Sequence, residues 1–517
     1  MRFGVWAVGV GALLAVSVTG FAALPAEIKT DAGPVAGTTG ESPAIRVYKG
    51  IPYAAPPVGE NRWRPPQPVA AWHEVRSATE FAPRCTQRSF GGPNAPAPPP
   101  TSEDCLYLNV WTGASSADER RPVMLWIYGG GFSGGAGSEP RYGGEGLASK
   151  GAVVVTINYR LGSLGFFAHP DLSRESAHHV SGNYGMLDAI AALQWVQRNI
   201  AAFGGDPANV TVFGESAGAI MTAALVGSPL AKGLFRRAIS QSGAWMGLGM
   251  ATMGTLARAE EAGEKAATDS GATLAQLRDK PAAEIFSTIR GGNLIVDGYV
   301  IPEDLSLTFA AGRQNPVDVL VGSNRDEGTL FMRPGLTLDQ FTGQVRRRFG
   351  VLADEFFKLY PASSEAETND SYLMSFRDET AWHMRKFAEL QAKLGARAFV
   401  YYFTHVPPSP PGRPSRGAAH VAEIPYMFDN LPAGVDWTDT DRQLAETMSS
   451  YWFNFAKSGD PNGAGLPRWP AYTNAASHSV QVLGDSVSTE TDSAPSQASL
   501  AFFDSAYQQL IKGGTNQ

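Results

Sequence analysis

Phe213-Gly214-Glu215-Ser216-Ala217-Gly218 is the stretch from which the fold can be predicted, because it indicates a tight turn from a strand into a helix. The β-prone residues 209–213 precede it, and the small-residue segment 217–225 favours a helix after it. The pattern G-x-S-x-G places a glycine two residues to either side of the serine, where so tight a turn leaves no room for a Cβ. The same pattern arises by chance in a chain with 57 glycines, so the context carries the prediction. We predict that Ser216 is a candidate nucleophile at the C-terminal edge of a sheet.

Length and charge narrow the class of protein. The chain has 517 residues, of which 43% are hydrophobic, so it can bury a large core in one large α/β unit or in several domains. The net charge is −7 and no basic run is present, which argues against nucleic acid as a partner.

The N-terminus predicts export. Met1-Arg2 is followed by an apolar run to Val18 and then by small residues, the pattern of a secretory signal peptide over residues 1–23. The protein is then expected to be secreted or periplasmic, with no membrane span after cleavage. The alternative is a membrane anchor, which the short run and the missing basic flank on its far side disfavour.

The chain has two cysteines, Cys85 and Cys105. In an exported protein an even count suggests a disulfide, and two buried thiols are the alternative. The segment 91–100 between them is rich in glycine and proline and cannot form the interior of a helix or a sheet, so a covalent tie there makes physical sense.

Short apolar runs alternate with helical stretches along the chain, such as the helical residues 187–196. The runs are continuous, as expected of strands covered on both faces, and the alternation predicts an α/β fold with a large, mostly parallel central sheet flanked by helices. Residues of about 250–390 are helix-rich and are predicted to form a cap or side lobe, whereas 407–414 and 485–498 are predicted surface loops. The predicted strands cover residues 121–128, 151–159, 209–213, 317–321 and 398–403.

A serine nucleophile needs a base and an orienting carboxylate. Among the later histidines, His420 is favoured because it follows the predicted strand 398–403 in a loop of small residues. His383 lies in a predicted helix. For the acid, Asp326 and Glu327 both follow the strand 317–321, and either could accept the imidazole N–H, so spacing leaves the choice open. Because the imidazole base must be neutral, we predict that kcat/KM decreases as the pH is lowered below about 6.5.

The glycine-rich run Gly129-Gly130-Gly131-Phe132-Ser133-Gly134 has two interpretations. It matches the dinucleotide pattern G-x-G-x-x-G, but the next strand ends in Asn158 rather than an acidic residue, and no clear helix opens after it. Bare backbone N–H groups there would equally suit an oxyanion hole. Because Ser216 is in the same chain, a hydrolase is favoured over an oxidoreductase.

Three further motifs add a resemblance to a known family. Gly50-Ile51-Pro52-Tyr53-Ala54, Glu103-Asp104-Cys105-Leu106-Tyr107-Leu108-Asn109-Val110 and Phe203-Gly204-Gly205-Asp206-Pro207 are its other marks. With the serine turn, they make the chain resemble the type-B carboxylesterases, a family of esterases, lipases and cholinesterases on the α/β-hydrolase fold. The resemblance runs from about residue 25 to the C-terminus and is to the bacterial, secreted type.

The resemblance implies a role for individual residues. It implies Ser216 as nucleophile, Glu327 as acid and His420 as base of a serine esterase that needs no metal or organic cofactor. It further implies an oxyanion hole formed by the backbone N–H groups of Gly130, Gly131 and Ala217. It implies a disulfide between Cys85 and Cys105. It also implies two structural ion pairs, Arg62 with Glu103 and Arg160 with Asp188. Residues 24–517 would form one catalytic domain that acts on a small ester.

The sequence departs from the family at two places. Tyr128 stands where many relatives have histidine, which should not abolish catalysis because the donors of the hole are backbone groups. Residues 86–104 contain no tryptophan, so choline esters are disfavoured as substrates. A lipase of longer-chain acylglycerols and a non-catalytic binding protein of the same fold remain the alternatives to a carboxylesterase.

Overall fold

The computed structural model describes residues 23–87, 99–248, 252–332, 335–410, 412–472, 479–491 and 495–514. Residues 1–22 of the predicted signal peptide and residues 91–98 of the predicted cysteine loop lie outside these ranges. Cys85 and Cys105 form a disulfide, as predicted. None of the helices in the described ranges is long and apolar enough to cross a membrane.

An eleven-stranded sheet forms the centre of the described chain. Its strands, in chain order, are β1 (Thr38–Thr39), β2 (Arg46–Pro52), β3 (Tyr107–Thr112), β4 (Arg121–Ile127), β5 (Val153–Ile157), β6 (Gly205–Glu215), β7 (Arg237–Gln241), β8 (Asp318–Asn324), β9 (Ala398–Phe403), β10 (Val480–Leu483) and β11 (Val487–Glu490). In space the order is β11-β10-β9-β8-β7-β6-β4-β5-β3-β2-β1. Seven neighbouring strands, in the spatial order β10-β9-β8-β7-β6-β4-β5, pair in parallel. The strands outside them at both edges of the sheet pair antiparallel.

The central strands are buried along their length because helices cover the sheet. Every residue of β5, β7 and β9 is buried, which explains the continuous apolar runs in the sequence. The α-helices are α1 (Glu145–Ser149), α2 (Gly162–Phe166), α3 (Pro170–Glu175), α4 (Tyr184–Asn199), α5 (Ala217–Gly227), α6 (Leu256–Asp269), α7 (Leu274–Asp279), α8 (Ala282–Thr288), α9 (Leu305–Ala310), α10 (Leu338–Phe349), α11 (Ala353–Leu359), α12 (Glu365–Lys393), α13 (Ile424–Met427), α14 (Asp439–Ser458) and α15 (Gln497–Gly514). Of these, α5 packs on β6 and β7, α12 on β8 and β9, and α14 on β4 and β6.

The fold predicted from the sequence is confirmed, with one local correction. Residues 485–498 are not all loop, because β11 pairs with β10 within them and α15 begins at their end. Three of the four residues of β11 are exposed at the sheet edge, so the strand lacks the apolar pattern that would have revealed it. In the chain, the helices α6 to α12 of the predicted helix-rich segment follow β7 and precede β9, and the same segment also contributes β8 to the central sheet.

Two buried ion pairs tie loops to this framework. The Arg160 guanidinium donates to both carboxylate oxygens of Asp188 at 2.7 and 2.8 Å. The Arg62 guanidinium makes the same bidentate contact with Glu103 at 2.5 and 2.6 Å. Such paired contacts compensate for the loss of hydration when a charge is buried. Both pairs were expected from the sequence resemblance.

Candidate active site

Ser216 lies on the turn between β6 and α5 in a strained backbone conformation. Its φ is +57° and its ψ is −124°, and its N–H donates to the carbonyl oxygen of Gln241 at 2.9 Å. A Cβ on Gly214 would lie 2.5 Å from the carbonyl carbon of Gly218, and a Cβ on Gly218 would collide with the carbonyl oxygen of Ile127. Glycine is therefore required at both positions, as the G-x-S-x-G pattern predicted.

The structure brings His420 and Glu327 together. Nδ1 of His420 lies 2.5 Å from Oε2 of Glu327, and both side chains are buried. Oε1 of Glu327 accepts the N–H of Asn324 at 2.8 Å, which fixes the carboxylate at the end of β8. One face of this pair is apolar, because the Phe331 ring meets the His420 ring edge-on at 4.9 Å between centroids.

Asp326, the other acid considered from the sequence, has a different environment. Its Oδ2 accepts the N–H of Ala418 at 2.7 Å and is bonded by the Arg325 guanidinium. Asp326 therefore fixes the backbone two residues before His420 and does not contact the imidazole among the hydrogen bonds described.

A second carboxylate, Glu215, contacts the other side of His420. Its Oε1 lies 3.0 Å from Nε2 of His420, and neither atom has an aligned hydrogen-bond partner in the described part of the chain. The sequence analysis gave Glu215 no role, because it occupies a variable position of G-x-S-x-G. The available signal was an acidic side chain directly before the serine, just after the β-prone residues 209–213.

Burial and the neighbouring charges shift the pKa values of His420 and Glu215. Burial alone would lower the pKa of His420, but attraction to Glu215 and Glu327 outweighs it and raises the pKa above that of a free imidazole. On the carboxyl of Glu215 burial has the opposite effect and raises the pKa, while attraction to His420 opposes that shift. The two groups titrate as a pair, and a proton is held between them at higher pH than either free side chain would hold it.

A polar network lies behind the imidazole. The buried carboxylate of Glu423 accepts from the side-chain amides of Gln241 at 2.9 Å and Asn324 at 2.6 Å. Burial raises the pKa of Glu423. Because Asn324 bonds both Glu423 and Glu327, the network links the rear of the site to the carboxylate on His420.

The glycine run 129–134 follows β4 and contacts the serine turn. A Cβ on Gly129 would lie 2.9 Å from the Cβ of Ser216, so only glycine allows this approach. The N–H groups of Gly130, Gly131 and Ala217 donate no hydrogen bond within the described ranges. Gly130 and Gly131 are exposed and have φ values of +107° and +61°. This arrangement leaves unpaired donors next to Ser216.

The dinucleotide interpretation of these glycines lacks its helix. Residues 131–133 form a turn that is closed by the N–H groups of Ser133 and Gly134 on the carbonyl oxygen of Gly130. A dinucleotide site would need a helix N-terminus at that point to face the pyrophosphate. Tyr128, just before the run, is buried and stacks on Tyr159 at 4.6 Å between ring centroids.

The fold and this arrangement are typical of a hydrolase of the α/β-hydrolase class. The arrangement combines a serine on a strained strand-to-helix turn, a histidine paired with a carboxylate at the strand ends, and a loop of free N–H groups. The chain belongs to the carboxylesterase family, whose sequence profile matches residues 25–503. It is a carboxylic ester hydrolase.

Named relatives and solved structures agree with this assignment. The chain is 40% identical over 501 residues to the fumonisin B1 esterase of Sphingopyxis macrogoltabida, covering 90% of this chain and 89% of that protein. It is 38% identical over 491 residues to the para-nitrobenzyl esterase of Bacillus subtilis strain 168, covering 90% and 96%. Its fold is similar to that of a Geobacillus stearothermophilus carboxylesterase, with a TM-score of 0.79, 34% identity, and coverage of 93% of this chain and all of that one.

Proposed function

We propose that the protein hydrolyses carboxylic esters through a covalent acyl-enzyme on Ser216, with His420 as base and Glu327 as the acid that orients it. The observation that carries the proposal is the buried 2.5 Å contact between Nδ1 of His420 and Glu327. With Nδ1 on Glu327, the ring nitrogen that would accept the serine proton is Nε2, which also lies 3.0 Å from Oε1 of Glu215.

In the first half-reaction, His420 takes the Ser216 proton at Nε2 as Oγ bonds to the ester carbonyl carbon. The carbonyl oxygen becomes an oxyanion, which the N–H groups of Gly130, Gly131 and Ala217 stabilise. Glu327 stabilises the imidazolium. The imidazolium then gives its proton to the alkoxy leaving group, so the alcohol departs and the acyl group stays on Ser216.

In the second half-reaction, water repeats these steps on the acyl-enzyme. His420 takes a proton from water, whose oxygen bonds to the acyl carbon, and returns it to Oγ of Ser216 as the carboxylic acid leaves. Over the whole cycle the alcohol receives the Ser216 proton, water replaces that proton through His420, and the ester and one water become the alcohol and the carboxylic acid.

Covalent labelling tests the proposal directly. A fluorophosphonate reagent bonds to an activated serine with loss of fluoride, so peptide mass mapping is expected to find the adduct on Ser216. The same reagent should label His420→Ala far more slowly, because the base is missing. An adduct on another serine, or no adduct on an enzyme that turns over esters, would refute Ser216 as nucleophile.

Gly130→Ala is expected to lower kcat/KM by about 10²- to 10³-fold, the effect of losing an oxyanion donor. A Cβ at residue 130 would collide with the carbonyl oxygen of Gly134 and displace the loop. Gly298→Ala is the matched control, since Gly298 also has a positive φ, +82°, but a Cβ there meets open space. Steady-state kinetics and thermal melting of both variants provide the measurement, and equal losses of activity would contradict the proposed hole.

Glu215→Gln is expected to move the acid limb of kcat/KM to lower pH by roughly one unit. The base must be neutral, and Glu215 helps to raise the pKa of His420, so removing its charge frees the base at lower pH. The wild-type limb should lie above the pH of about 6.5 that a free imidazole predicts. Glu215→Asp keeps the charge and is expected to stay near the wild-type profile. Identical limbs in all three proteins would exclude this coupling.

We infer that the substrate is a small-molecule ester, in keeping with two relatives that carry the names fumonisin B1 esterase and para-nitrobenzyl esterase. The apolar Phe331 beside His420 favours an apolar substituent next to the scissile bond. A series of p-nitrophenyl esters of increasing acyl length would rank the substituents. A sharp rise in the rate of triglyceride hydrolysis once the triglyceride concentration exceeds its solubility, so that an emulsion forms, would favour the lipase alternative instead.

We also propose that the protein is exported, with residues 1–23 removed as a signal peptide. The disulfide between Cys85 and Cys105 supports this, because disulfides persist in oxidising compartments. N-terminal sequencing of the exported protein is expected to begin near residue 24, and a mature chain that keeps Met1 would contradict it.

A further inference from the structure

The loop 129–135, which carries two of the proposed oxyanion donors, has an unusual backbone. Four of its residues have positive φ values between +55° and +113°, namely Gly130, Gly131, Phe132 and Gly135. Glycine adopts many other conformations as readily and loses more freedom than any other residue when it is fixed. Within the loop, the N–H groups of Ser133 and Gly134 donate to the carbonyl oxygen of Gly130 at 3.1 and 3.2 Å. These bonds close one turn and leave Gly135 to be held from outside the loop.

The side-chain amide of Gln87 holds Gly135 through both of its backbone groups. Nε2 of Gln87 donates to the carbonyl oxygen of Gly135 at 2.9 Å, and Oε1 accepts the N–H of Gly135 at 2.8 Å. A primary amide offers donors on one side and an acceptor on the other, so it can pair with the N–H and the C=O of a single residue. The two bonds together fix both the position and the orientation of Gly135.

Gly135 lies against the part of the loop that carries the donors. A Cβ on Gly135 would lie 2.9 Å from the carbonyl oxygen of Gly129, and a Cβ on Gly130 would collide with the carbonyl oxygen of Gly134. The two halves of the loop therefore touch backbone to backbone, with no side chain between them. A shift of Gly135 would displace Gly130 and turn its N–H group. An oxyanion hole works only while its donors point at the developing charge.

Gln87 is itself held by the disulfide segment. Its Nε2 also donates to the carbonyl oxygen of Cys85 at 3.0 Å, and Cys85 is bonded covalently to Cys105. Between them in the chain, the N–H of Thr86 donates to the carbonyl oxygen of Ser102 at 3.0 Å. A residue that supports a functional loop is most effective when its own position is fixed in this way. The disulfide segment is thus a rigid base from which Gln87 contacts the loop.

We propose that Gln87 is a positioning residue for the oxyanion hole, which keeps the N–H groups of Gly130 and Gly131 directed at the transition state. This inference rests on the proposed function, because it requires an oxyanion to form next to Ser216. The amide of Gln87 is occupied by Gly135 and Cys85, and it acts through the loop. Its loss is therefore expected to weaken transition-state stabilisation and to leave substrate binding nearly unchanged.

Gln87→Met tests this role, because methionine has a similar length but cannot make the paired bonds to Gly135. For p-nitrophenyl acetate we expect kcat to fall about 10- to 100-fold, the cost of a group misplaced by about 1 Å. KM should stay within about twofold of wild type, since both half-reactions pass through an oxyanion and slow together. Hexyl trifluoromethyl ketone forms an oxyanion adduct with a catalytic serine. Its Ki should rise by the factor by which kcat/KM falls.

Gln197→Met is the matched control. Gln197 is partly buried, like Gln87, and its Nε2 donates to the backbone carbonyl oxygens of Pro207 and Leu234, both at 2.8 Å. The variant therefore loses side-chain bonds to the backbone outside the loop 129–135. It is expected to lower the melting temperature about as much as Gln87→Met does, and to keep kcat and the Ki of the ketone close to wild type.

The double variant Gln87→Met/Gly130→Ala separates a failure of this proposal from a failure of the proposed function. If Gln87 acts through the hole, the double variant should be little slower than Gly130→Ala alone, because the donor is already displaced. Additive losses would overturn the role of Gln87, and so would a raised KM with unchanged kcat or a kcat equal to that of Gln197→Met. In these cases the loss in Gly130→Ala would still support the hole. Normal kcat and Ki in Gly130→Ala would overturn the hole itself, and the role of Gln87 with it.

Discussion

Ser216→Ala is expected to lower kcat for p-nitrophenyl acetate by about 10⁴- to 10⁶-fold, with the fold intact. The substitution removes the one hydroxyl that the strained turn holds between β6 and α5, next to the free N–H groups of the glycine run. Residual hydrolysis would come from substrate binding and the oxyanion donors alone. Stopped-flow and steady-state hydrolysis measure the loss, and the burst of acyl-enzyme should disappear with it.

The matched control for this prediction is Ser240→Ala. Ser240 is a buried serine on the neighbouring strand β7 whose hydroxyl donates to the carbonyl oxygen of Ala219. Its loss should cost some stability and leave kcat within a few-fold of wild type. Near wild-type turnover by Ser216→Ala would refute the acyl-enzyme mechanism.

His420→Ala is expected to cause a loss of kcat similar to that of Ser216→Ala, because the nucleophile and its base act as a unit. Without the imidazole, the Ser216 hydroxyl keeps its proton and the leaving alcohol receives none. The double variant Ser216→Ala/His420→Ala should therefore be no slower than either single variant. Additive losses in the double variant would mean that the two residues act independently.

The control for the histidine is His383→Gln. His383 is also buried, but it lies on α12 with its Nε2 3.6 Å from Glu379. Activity of this variant should stay close to wild type once differences in melting temperature are accounted for. A loss as deep as that of His420→Ala would show that buried histidines support the fold generally and would weaken the assignment of the base.

The choice of acid shows where sequence spacing stops being informative. Asp326 and Glu327 are adjacent and equally able to accept an imidazole N–H, and only the family resemblance favoured Glu327. The described contacts separate them, because successive side chains after a strand point in different directions. Glu327 contacts His420, while Asp326 bonds the backbone of Ala418. Which direction each takes depends on a loop more than ninety residues later in the chain.

Glu215 and β11 illustrate two further limits. The contact between Glu215 and His420 joins positions 205 residues apart, and no local pattern encodes it. β11 is polar because it lies at an exposed sheet edge, so its hydrogen bonds to β10 left no hydrophobic periodicity in the sequence.

The sequence by itself determined the α/β class, the order of the central strands' apolar runs and the serine turn. It could do so because burial on both faces requires continuous apolar residues, and a tight turn requires glycine, both within a few neighbouring positions. Only the tertiary structure showed that Glu215 flanks His420 opposite Glu327, and that attraction to these two carboxylates outweighs burial and raises the pKa of His420. Those properties depend on distances and dielectric surroundings between residues far apart in the chain, and these exist only after the sheet has formed.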